Sequence, residues 1–478
     1  MSPRTRRTLW LIMAAGIIAR VTTWWFKGGF HYPDEIFQQV EPAQYLRTGV
    51  ATLPWEFVRG VRSWVLPGVY AALFEVLSWM GVTGLAAFRV VTLQNAVLSI
   101  IMVPAGYRMG AALWGRDDPD AERAGLSVAF FTAFLPALVY YTPHTLNGTP
   151  CMVALAWGYA HWLEARRSKI ASSRSLLLSG LFFGIAGALR FTCGLHMLVP
   201  IIDLLLRYRS QALRALVAGA ALPVLIVGGV DMLTWGWPFH STVEHLRYNF
   251  FEGGASDHGT SPWFYYLAES LWARLGPLAP LTLWVLLGGL RRTWLVALAV
   301  LVPTLALSAL PHKEDRFLMY NWPLLAAAAG IGWLLIARWL RARLPSFGSV
   351  TAAALAAAVL ASNLQGTLEL PWTMRRGMFQ AQAFVGEQDD ATGLLFHDRA
   401  HMNGGYLVFD RTIPQASFNP RLVANPLFNY AALQAKGNDA QRLLRTGWVE
   451  VSILDEIAVL KRPPWRPRSS AAMSRTQR

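Results

Sequence analysis

Two adjacent carboxylates, Asp34 and Glu35, follow Pro33 just beyond the first apolar segment of the chain. An acidic pair at the edge of a membrane span is costly to desolvate, which favours a functional role. A carboxylate in this position can act as a general base that takes the proton from an attacking hydroxyl group. The sequence therefore predicts Asp34 as a catalytic base and Glu35 as its supporting catalytic partner.

A second charged segment runs from His312 to Arg316, and we call it the basic cluster. Its three potential cations are His312, Lys313 and Arg316. Cationic hydrogen-bond donors stabilise a phosphate leaving group, so these residues are predicted to bind the phosphate of a lipid-linked sugar donor. Arg190, near the end of a predicted span, is a further candidate for this phosphate.

Aromatic and polar residues in the predicted outer loops are candidates for binding the sugar or the lipid. They are His31, Trp55, Glu56, Arg62, Trp263 and Tyr265. The sequence contains no metal-ligand spacing and no Gly-rich phosphate loop, so we predict neither a metal nor a cofactor.

Each candidate also has an ordinary structural explanation. Asp34 with Glu35 can cap a helix that begins after Pro33. Glu56 can form a loop salt bridge with a nearby arginine. Arg190 and the basic cluster can anchor span ends in lipid headgroups, and Trp263 with Tyr265 can belong to an interfacial aromatic belt. The occurrence of several such clusters in one chain favours function for Asp34.

The composition identifies the class of protein. The 478 residues are 54% hydrophobic and 15% charged, with mean hydropathy +0.33. Soluble chains are about one quarter charged. Apolar runs near the ~20 residues that cross a bilayer recur from residue 9 to residue 363. The sequence thus predicts a polytopic α-helical membrane protein, in which the net charge of +15 reflects cytoplasmic loops rather than nucleic-acid binding. Cys151 and Cys193 both lie in apolar segments, so we expect no disulfide framework.

Basic loops orient the predicted spans. The first span is predicted over about 9–26, and the loop after it over 27–62. Further apolar stretches begin near residues 63, 89, 124, 150, 176, 192, 212, 264, 294, 318 and 349. Arginine-rich loops fall on the cytoplasmic side by the positive-inside rule. The loops left on the outer side are 27–62, 143–149, 235–263 and 311–317, together with the tail from 365.

Two details of this topology stay open. An odd number of crossings must separate the outer loop 27–62 from the inner loop 108–123, yet two apolar stretches, 63–80 and 89–107, lie between them. The first of these contains Pro67 and Glu75 and is a candidate re-entrant or interfacial helix. Within the first loop, an amphipathic helix is predicted to lie on the membrane surface. Its apolar residues are Ile36, Phe37, Val40, Tyr45 and Leu46.

The chain divides into three parts by composition. Residues 1–364 form the predicted transmembrane domain. Residues 365–461 are less apolar and contain short strand-like runs, 393–396, 406–409 and 449–454, which predict a small α+β domain on the outer face. Residues 462–478 are rich in Pro, Arg and Ser and are predicted to be disordered.

Four segments of this sequence resemble one known family, in order and with similar spacing over about residues 8–330. The segment from His31 to Gln38 is similar to the H-P-D-E-x-x-Q motif of the lipid-phosphate-mannose-dependent mannosyltransferases. Pro54–Phe57 with Arg62-Ser63 resembles their T-W-E-[WF]…R-S element. Gly259–Trp263 resembles their Y-G-T-H-P-W segment, and His312–Phe317 their H-K-E-x-R-F motif. Departures are the inserted Tyr32, and Pro54 and Ser261 in place of the family's Thr and His.

The resemblance implies the GT-C fold and an inverting transfer that forms an α-mannoside, with Asp34 as the base. The implied partners are a polyprenyl- or dolichyl-phosphate mannose donor, a glycolipid or lipid-linked glycan acceptor, and membrane lipids. Family enzymes of this kind extend N-glycan precursors and glycosylphosphatidylinositol anchors. The implied location is a multi-pass protein of the bacterial inner membrane with a periplasmic site, or of the ER membrane with a lumenal site. Two other functions stay open: a transporter of lipid-linked sugars, and a non-catalytic scaffold.

Overall fold

The computed structural model describes residues 1–115, 117–167, 172–370, 372–397 and 402–463. The predicted disordered tail falls outside these residues except for its first two positions. The described chain consists of a large helical part up to residue 370 and a smaller part that carries a five-stranded sheet.

The first 115 residues contain six helices, of which α2 and α3 lie within the first loop. The six are α1 (Pro3–Phe26), α2 (Glu41–Thr48), α3 (Trp55–Arg59), α4 (Val65–Trp79), α5 (Gly84–Leu98) and α6 (Met102–Trp114). A π-helical turn, Ile36–Val40, leads directly into α2, and a 3₁₀ turn joins α5 to α6.

The remaining helices of the large part are α7 (Ala121–Phe134), α8 (Pro136–Tyr141), α9 (Gly148–Arg167), α10 (Ser173–Leu189), α11 (Gly194–Trp235), α12 (His240–Leu246), α13 (Trp272–Leu275), α14 (Ala279–Gly288), α15 (Leu290–Ser308), α16 (Trp322–Arg343) and α17 (Gly348–Leu368). A 3₁₀ helix, Asp315–Asn321, precedes α16 and carries part of the basic cluster.

Seven helical stretches in the described part are long and apolar enough to cross a membrane, and a bent pair makes an eighth if it counts as one span. The seven are Pro3–Phe26, Gly84–Trp114, Phe191–Tyr208, Ala212–Trp235, Leu290–Ser308, Asp315–Arg343 and Gly348–Leu368. The bent pair, Tyr266–Leu275 with Ala279–Gly288, turns by 98° at the break. The chain is therefore a multi-pass membrane protein, as its composition predicts.

Helix length favours one of the two interpretations of residues 63–107. Helix α4 has 15 residues, which at ~1.5 Å per residue covers only about 22 Å, less than the ~30 Å apolar core of a bilayer. Helices α5 and α6 together form one stretch of 31 residues. By length, this region holds one stretch that can cross a bilayer, and α4 has the length expected of the re-entrant or interfacial helix that the sequence allows.

Small residues let α10 and α11 approach closely. A Cβ atom added to Gly180 would lie 1.9 Å from the carbonyl oxygen of Leu216, and one added to Gly219 would lie 2.0 Å from that of Leu177. Such glycines allow backbones to pack closely inside a membrane, where apolar contact alone does not drive association.

The smaller part contains α18 (Arg376–Gly386), β1 (Leu394–Phe396), α19 (Gly405–Phe409), β2 (Gln415–Ser417), α20 (Pro420–Val423), β3 (Tyr430–Gln434), α21 (Asn438–Arg445), β4 (Val449–Leu454) and β5 (Ile457–Lys461). The strand order is β2-β1-β3-β5-β4, with β1 parallel to β2 and β3, and β5 antiparallel to β3 and β4.

Two of the three predicted strand runs are confirmed, as β1 and β4. The third, 406–409, is wrong because these residues form helix α19. Leu407, Val408 and Phe409 are all buried, so both faces of this segment meet protein. Gly405 starts the turn with φ of +66°, a left-handed conformation that favours glycine.

The predicted surface helix of the first loop is also wrong for its first half. Ile36, Phe37 and Val40 are at most 3% exposed and pack in one core with Phe74 and Phe88. Residues of the smaller part, Phe379, Leu407 and Val408, complete this core. The helix is buried because α4, α5 and the C-terminal domain together cover it. Only its second half, at Tyr45 and Leu46, is exposed.

Candidate active site

Asp34 lies in the first helical turn after Pro33, where its carboxylate is held by one oxygen. Oδ2 accepts hydrogen bonds from Arg316 Nη1 and Gln38 Nε2, both at 2.5 Å. Among the described residues no group donates to Oδ1, and the side chain is 23% exposed. One oxygen is therefore anchored while the other is open to a substrate hydroxyl group, which is the arrangement that a general base requires.

Gln38 joins two carboxylates. It lies one helical turn after Asp34, and its amide nitrogen also donates to Glu56 Oε1 at 2.8 Å. Glu56, on α3, is 8% exposed. The sequence motif contains Gln38, but our site prediction omits it. The spacing of four residues from Asp34 is the signal that places the two side chains on one helical face.

Glu35 points away from the opening and is completely buried. Its carboxylate lies 3.0 Å from Lys27 Nζ and 2.8 Å from His144 Nδ1, and it accepts the backbone N–H groups of His31 and Tyr32. Burial alone would raise the pKa of Glu35, but His144 and Lys27 more than offset this and hold it well below its ordinary value. Glu35 therefore fixes the shape of the loop in front of Asp34.

His31 is also predicted to bind substrate, and the structure places it in an aromatic stack. Its ring lies 3.9 Å from that of Tyr32, and its Nδ1 lies 3.1 Å from Tyr140 Oη. Burial, with smaller opposing and reinforcing charges, lowers the pKa of His31 to about 3. The imidazole is therefore neutral near pH 7, where it serves as a hydrogen-bonding group and not as a cation.

The basic cluster converges on Asp34 through Arg316. This guanidinium is 8% exposed and donates to Asp34 and, at 2.7 Å, to Glu314 Oε1. His312 lies 3.0 Å from the same Glu314 oxygen. That hydrogen bond raises the pKa of His312. Arg316 and His312 are therefore already compensated by carboxylates.

Lys313 is held by backbone oxygens. Its ammonium donates to the carbonyl oxygens of Ser261 at 2.9 Å, Pro311 at 3.4 Å and Leu310. Ser261 N–H also donates to the Pro311 carbonyl at 3.0 Å. Lys313 therefore ties the 259–261 segment to the loop before the 3₁₀ helix, and its three donor directions are used.

A cavity of about 320 Å³ opens beside Gln38 and is lined by two other arginines, Arg62 and Arg190. Arg62 Nε, Ser63 Oγ and Gln39 Oε1 are buried there without a hydrogen-bond partner. We call it the arginine cavity. Among the described residues neither arginine forms a salt bridge with a carboxylate. Two guanidinium groups without a paired anion mark a site for an anionic ligand.

Neighbouring groups report the positive field of the arginine cavity. His245 lines it, and burial together with the charges of Arg62 and Arg190 lowers the pKa of His245 to about 3. Arg190 Nε donates to Thr192 Oγ1 at 3.1 Å, and its guanidinium lies 5.1 Å from the ring of Phe317 and 5.5 Å from that of Tyr320. Arg190 is thereby held over the 3₁₀ helix.

The 3₁₀ helix from Asp315 to Asn321 separates the arginine cavity from a second one. Because this helix repeats every three residues, positions 315, 318 and 321 share one face, and they line an apolar cavity of about 280 Å³. Positions 317 and 320 face Arg190. Position 316 points to Asp34 and position 319 to Gly148. The apolar cavity is otherwise lined mainly by α14, α15 and α16.

The predicted aromatic residues do not gather around Asp34. Trp55 packs against Tyr248 at 4.6 Å and His258 at 5.7 Å between ring centroids, on the exposed side of α3. Trp263 is 66% exposed. Tyr265 Oη donates to Asp315 at 2.9 Å. Of the predicted site residues, the structure thus brings Glu56, Arg62, Arg190 and Arg316 around Asp34 and its cavity.

Comparisons with known proteins identify relatives of this chain. Residues 9–377 match the model of the Alg9-like mannosyltransferase family. GPI mannosyltransferase 3 of Yarrowia lipolytica is 28% identical over 333 residues, which are 67% of this chain and 61% of that protein. GPI alpha-1,2-mannosyltransferase 3 of Mus musculus is 26% identical over 322 residues, 65% of this chain and 56% of that protein. The chain thus spans less than two thirds of the length of these relatives.

The fold has a solved counterpart. The structure of ArnT from Cupriavidus metallidurans bound to undecaprenyl phosphate superposes with a TM-score of 0.59 at 12% identity, covering 94% of this chain and 97% of that one. This likeness establishes the predicted GT-C fold and does not extend to the substrate. Because the family model matches most of the sequence, from the first span to the start of the smaller domain, the chain belongs to the Alg9-like mannosyltransferase family.

Proposed function

We propose that the protein is an inverting mannosyltransferase. It moves mannose from a polyprenyl- or dolichyl-phosphate donor to a hydroxyl group of a glycolipid or lipid-linked glycan and forms an α-mannoside. The observation that carries the proposal is the position of Asp34, with one free carboxylate oxygen, beside a cavity that holds two unpaired arginines. The relatives, both named as mannosyltransferases, support the choice of sugar.

The reaction assigns one task to each side of the sugar. Asp34 takes the proton of the acceptor hydroxyl group as its oxygen bonds to the anomeric carbon of mannose. The bond between that carbon and the phosphate oxygen breaks, and its electron pair stays on the phosphate. Attack opposite the leaving group inverts the configuration. The base and the phosphate site must therefore face each other across the sugar. Gln38 connects them, because it lines the arginine cavity and also donates to Asp34.

We assign the donor phosphate to Arg62 and Arg190. Of the other predicted phosphate ligands, Arg316 and His312 are paired with carboxylates and Lys313 with carbonyl oxygens. Arg316 orients Asp34, and Lys313 holds the loop. Charge on the leaving phosphate rises as the bond breaks, so two guanidinium groups aimed at it favour the transition state more than the bound donor.

Replacement of Arg62 or Arg190 by glutamine is expected to lower kcat/KM for the donor. A charge-assisted hydrogen bond is worth roughly 1.5–3 kcal/mol, which corresponds to about one to two decades for each variant. Steady-state kinetics at varied donor concentration measures the loss, and equilibrium donor binding separates ground-state from transition-state effects. Arg123→Gln, an exposed arginine on α7, is the matched control for loss of one positive charge. Unchanged kinetics in both cavity variants would place the phosphate elsewhere.

The membrane side follows from the same assignment. We propose that Asp34 faces away from the cytoplasm, as the basic loops predict, which is the periplasm in a bacterium and the lumen of the ER in a eukaryote. The eukaryotic origin of the matched relatives favours the ER membrane. The smaller domain then lies on the same outer side, because it packs on the helix that carries Asp34.

A transfer assay tests the proposal directly. Purified protein in detergent is incubated with radiolabelled lipid-phosphate mannose and a panel of lipid and lipid-linked glycan acceptors, and the product is digested with α-mannosidase. We expect a labelled lipid product from which this digestion releases the labelled mannose. A protein that binds the donor but transfers mannose to no acceptor in the panel would instead be a scaffold or a carrier, and the proposed function would be lost.

A further inference from the structure

Glu41 is a carboxylate buried without a cation. Its side chain is 0% exposed, and among the described residues it forms no salt bridge. Instead it accepts three backbone N–H groups, from Thr52 at 2.7 Å, Tyr406 at 2.7 Å and Leu407 at 3.4 Å. Burying a carboxylate is costly unless it is paired or hydrogen-bonded, and these three bonds offset part of that cost.

Two of these bonds join Glu41 to residues that lie 365 and 366 positions further along the chain. Thr52 belongs to the first loop, whereas Tyr406 and Leu407 form the first turns of α19 in the C-terminal domain. The fit around the carboxylate is close. A Cβ atom on Gly405 would lie 2.3 Å from Glu41 Oε1, and Gly405 has φ of +66°. The C-terminal domain therefore meets Glu41 through a backbone shaped to receive it.

Glu41 and Asp34 belong to one continuous helical segment. The π turn Ile36–Val40 follows Asp34 and Glu35 without a break and runs into α2, which begins at Glu41. The intervening residues are all buried. Whatever fixes Glu41 thus fixes the rotation and height of the helix at its other end, where Asp34 meets Arg316.

A second contact connects the C-terminal domain to the loop in front of Asp34. A Cβ atom on Gly29 would lie 2.0 Å from the Met374 carbonyl oxygen, so the two backbones touch. Arg375 Nη1 donates to the His31 carbonyl oxygen at 3.4 Å, and its guanidinium lies 4.8 Å from the ring of Phe30. The domain therefore contacts the loop before Asp34 and also the helical segment that starts at Asp34 and continues into α2, which we call the catalytic helix.

We propose that Glu41 is a positioning residue that latches the C-terminal domain onto the catalytic helix and thereby holds Asp34 in place for transfer. The proposal deepens the proposed function and rests on it for its kinetic part. Glu41 touches no substrate. It acts through the helix and through the N–H groups of α19.

The strength of the latch depends on pH. Burial raises the pKa of Glu41 to about 7, although the three N–H bonds lower it in part. In a detached domain the group would return to about 4.5. The attached state therefore binds the proton more tightly, so the latch is tightest below about pH 4.5 and weakens as the pH rises to about 7.

Few other charges lie near Glu41 to share this titration. On α2 itself, Arg47 pairs with Glu75 of α4 at 3.0 Å. At the end of α19, Asp410 lies against Gly84. Neither carboxylate forms a hydrogen bond with Glu41. Burial and backbone bonds are the causes of its shifted pKa.

Hydrogen–deuterium exchange with mass spectrometry on the full chain tests the latch without any substrate. In Glu41→Ala and Gly405→Ala, exchange in the peptide that contains Tyr406 and Leu407 is expected to be about ten- to a hundredfold faster than in wild type. Asp455→Asn is the matched control, because it breaks an exposed ion pair with Arg376 within the same domain. Between pH 5 and 8, wild-type exchange relative to this control should rise, whereas Glu41→Gln should show no such trend.

Kinetics then separates positioning from mere stability. At a temperature where all variants are folded, Glu41→Ala is expected to lower kcat about tenfold or more with a smaller change in donor KM, because the base is misplaced whereas Arg62 and Arg190 lie on other parts of the chain than this helix. Glu41→Gln should recover part of kcat and lose its dependence on pH near 7.

Unchanged exchange in Glu41→Ala and Gly405→Ala would overturn the latch. Faster exchange with unchanged kcat would reduce Glu41 to a structural tie. Failure of wild type to transfer mannose would refute the proposed function but leave the exchange result standing.

Discussion

Replacement of Asp34 by asparagine is expected to lower kcat by about 10²–10⁴-fold, the usual loss when a general base is removed. The amide cannot take up a proton at neutral pH. Its oxygen can still accept from Arg316 and Gln38 in place of Oδ2, while the amide nitrogen occupies the position of Oδ1, which has no partner among the described residues. The fold should therefore be preserved, and the transfer assay measures the effect in isolation.

Two controls make this result specific. Donor binding should be retained, since the arginine cavity is intact, and the thermal midpoint should stay within a few degrees of wild type. If Asp34→Asn retains near-wild-type turnover, the base is another carboxylate. Glu56 is then the first candidate, because Gln38 already connects it to Asp34.

Replacement of Glu35 by alanine is expected to cost stability rather than chemistry. The substitution leaves the Lys27 ammonium buried without its carboxylate and the N–H groups of His31 and Tyr32 without their acceptor. Breaking a buried ion pair on one side typically costs 3–5 kcal/mol, about a third or more of the stability of many domains. Thermal unfolding in detergent, followed by circular dichroism, should show a lower midpoint and a reduced yield of folded protein.

The contribution of Glu35 to stability should decrease at low pH. Because the pKa of Glu35 is lowered in the folded state, its contribution to stability is present above about pH 4.5 and is lost as the pH falls further.

The double variant Lys27→Met with Glu35→Gln should regain part of the lost stability, since neither charge is then buried. Equal midpoints for Glu35→Ala and wild type would show that the ion pair contributes nothing. Activity per folded molecule should fall less than in Asp34→Asn.

The sequence predicts that Asp34 and the basic cluster lie on one face of the membrane, but it predicts Arg316 as a ligand of the donor phosphate and not as a partner of Asp34. The two residues are 282 positions apart in the chain. Arg316 is already paired with Glu314, and Lys313 with backbone carbonyl oxygens. Every residue has a carbonyl oxygen, so the sequence cannot predict the partners of Lys313. Arg62 and Arg190 form no salt bridge among the described residues, because the ends of α3 and α10 place them in the arginine cavity. The sequence alone does not predict this.

The burial of the catalytic helix was missed for a related reason. A surface helix and a helix covered by another domain share the same apolar periodicity, so Ile36 and Val40 fit both. The elements that pack on the helix decide between them, namely α4 and α5 together with Leu407 and Val408 far along the chain. The contacts of Glu41 are a similar example. Two of its three N–H donors belong to residues 406–409, which the sequence predicts as a strand.

The short helix that divides the two cavities has a consequence for how this family can vary. With three residues per turn, adding or deleting a single residue turns everything beyond it by about 120°. A deletion before Arg316 would turn its guanidinium into the apolar cavity, whereas an insertion there would turn the row that faces the apolar cavity toward Asp34 and Arg316 away from it. Side chains along this segment can change one at a time with local effects. Its length cannot, so relatives that keep the chemistry should show substitutions here and no gaps.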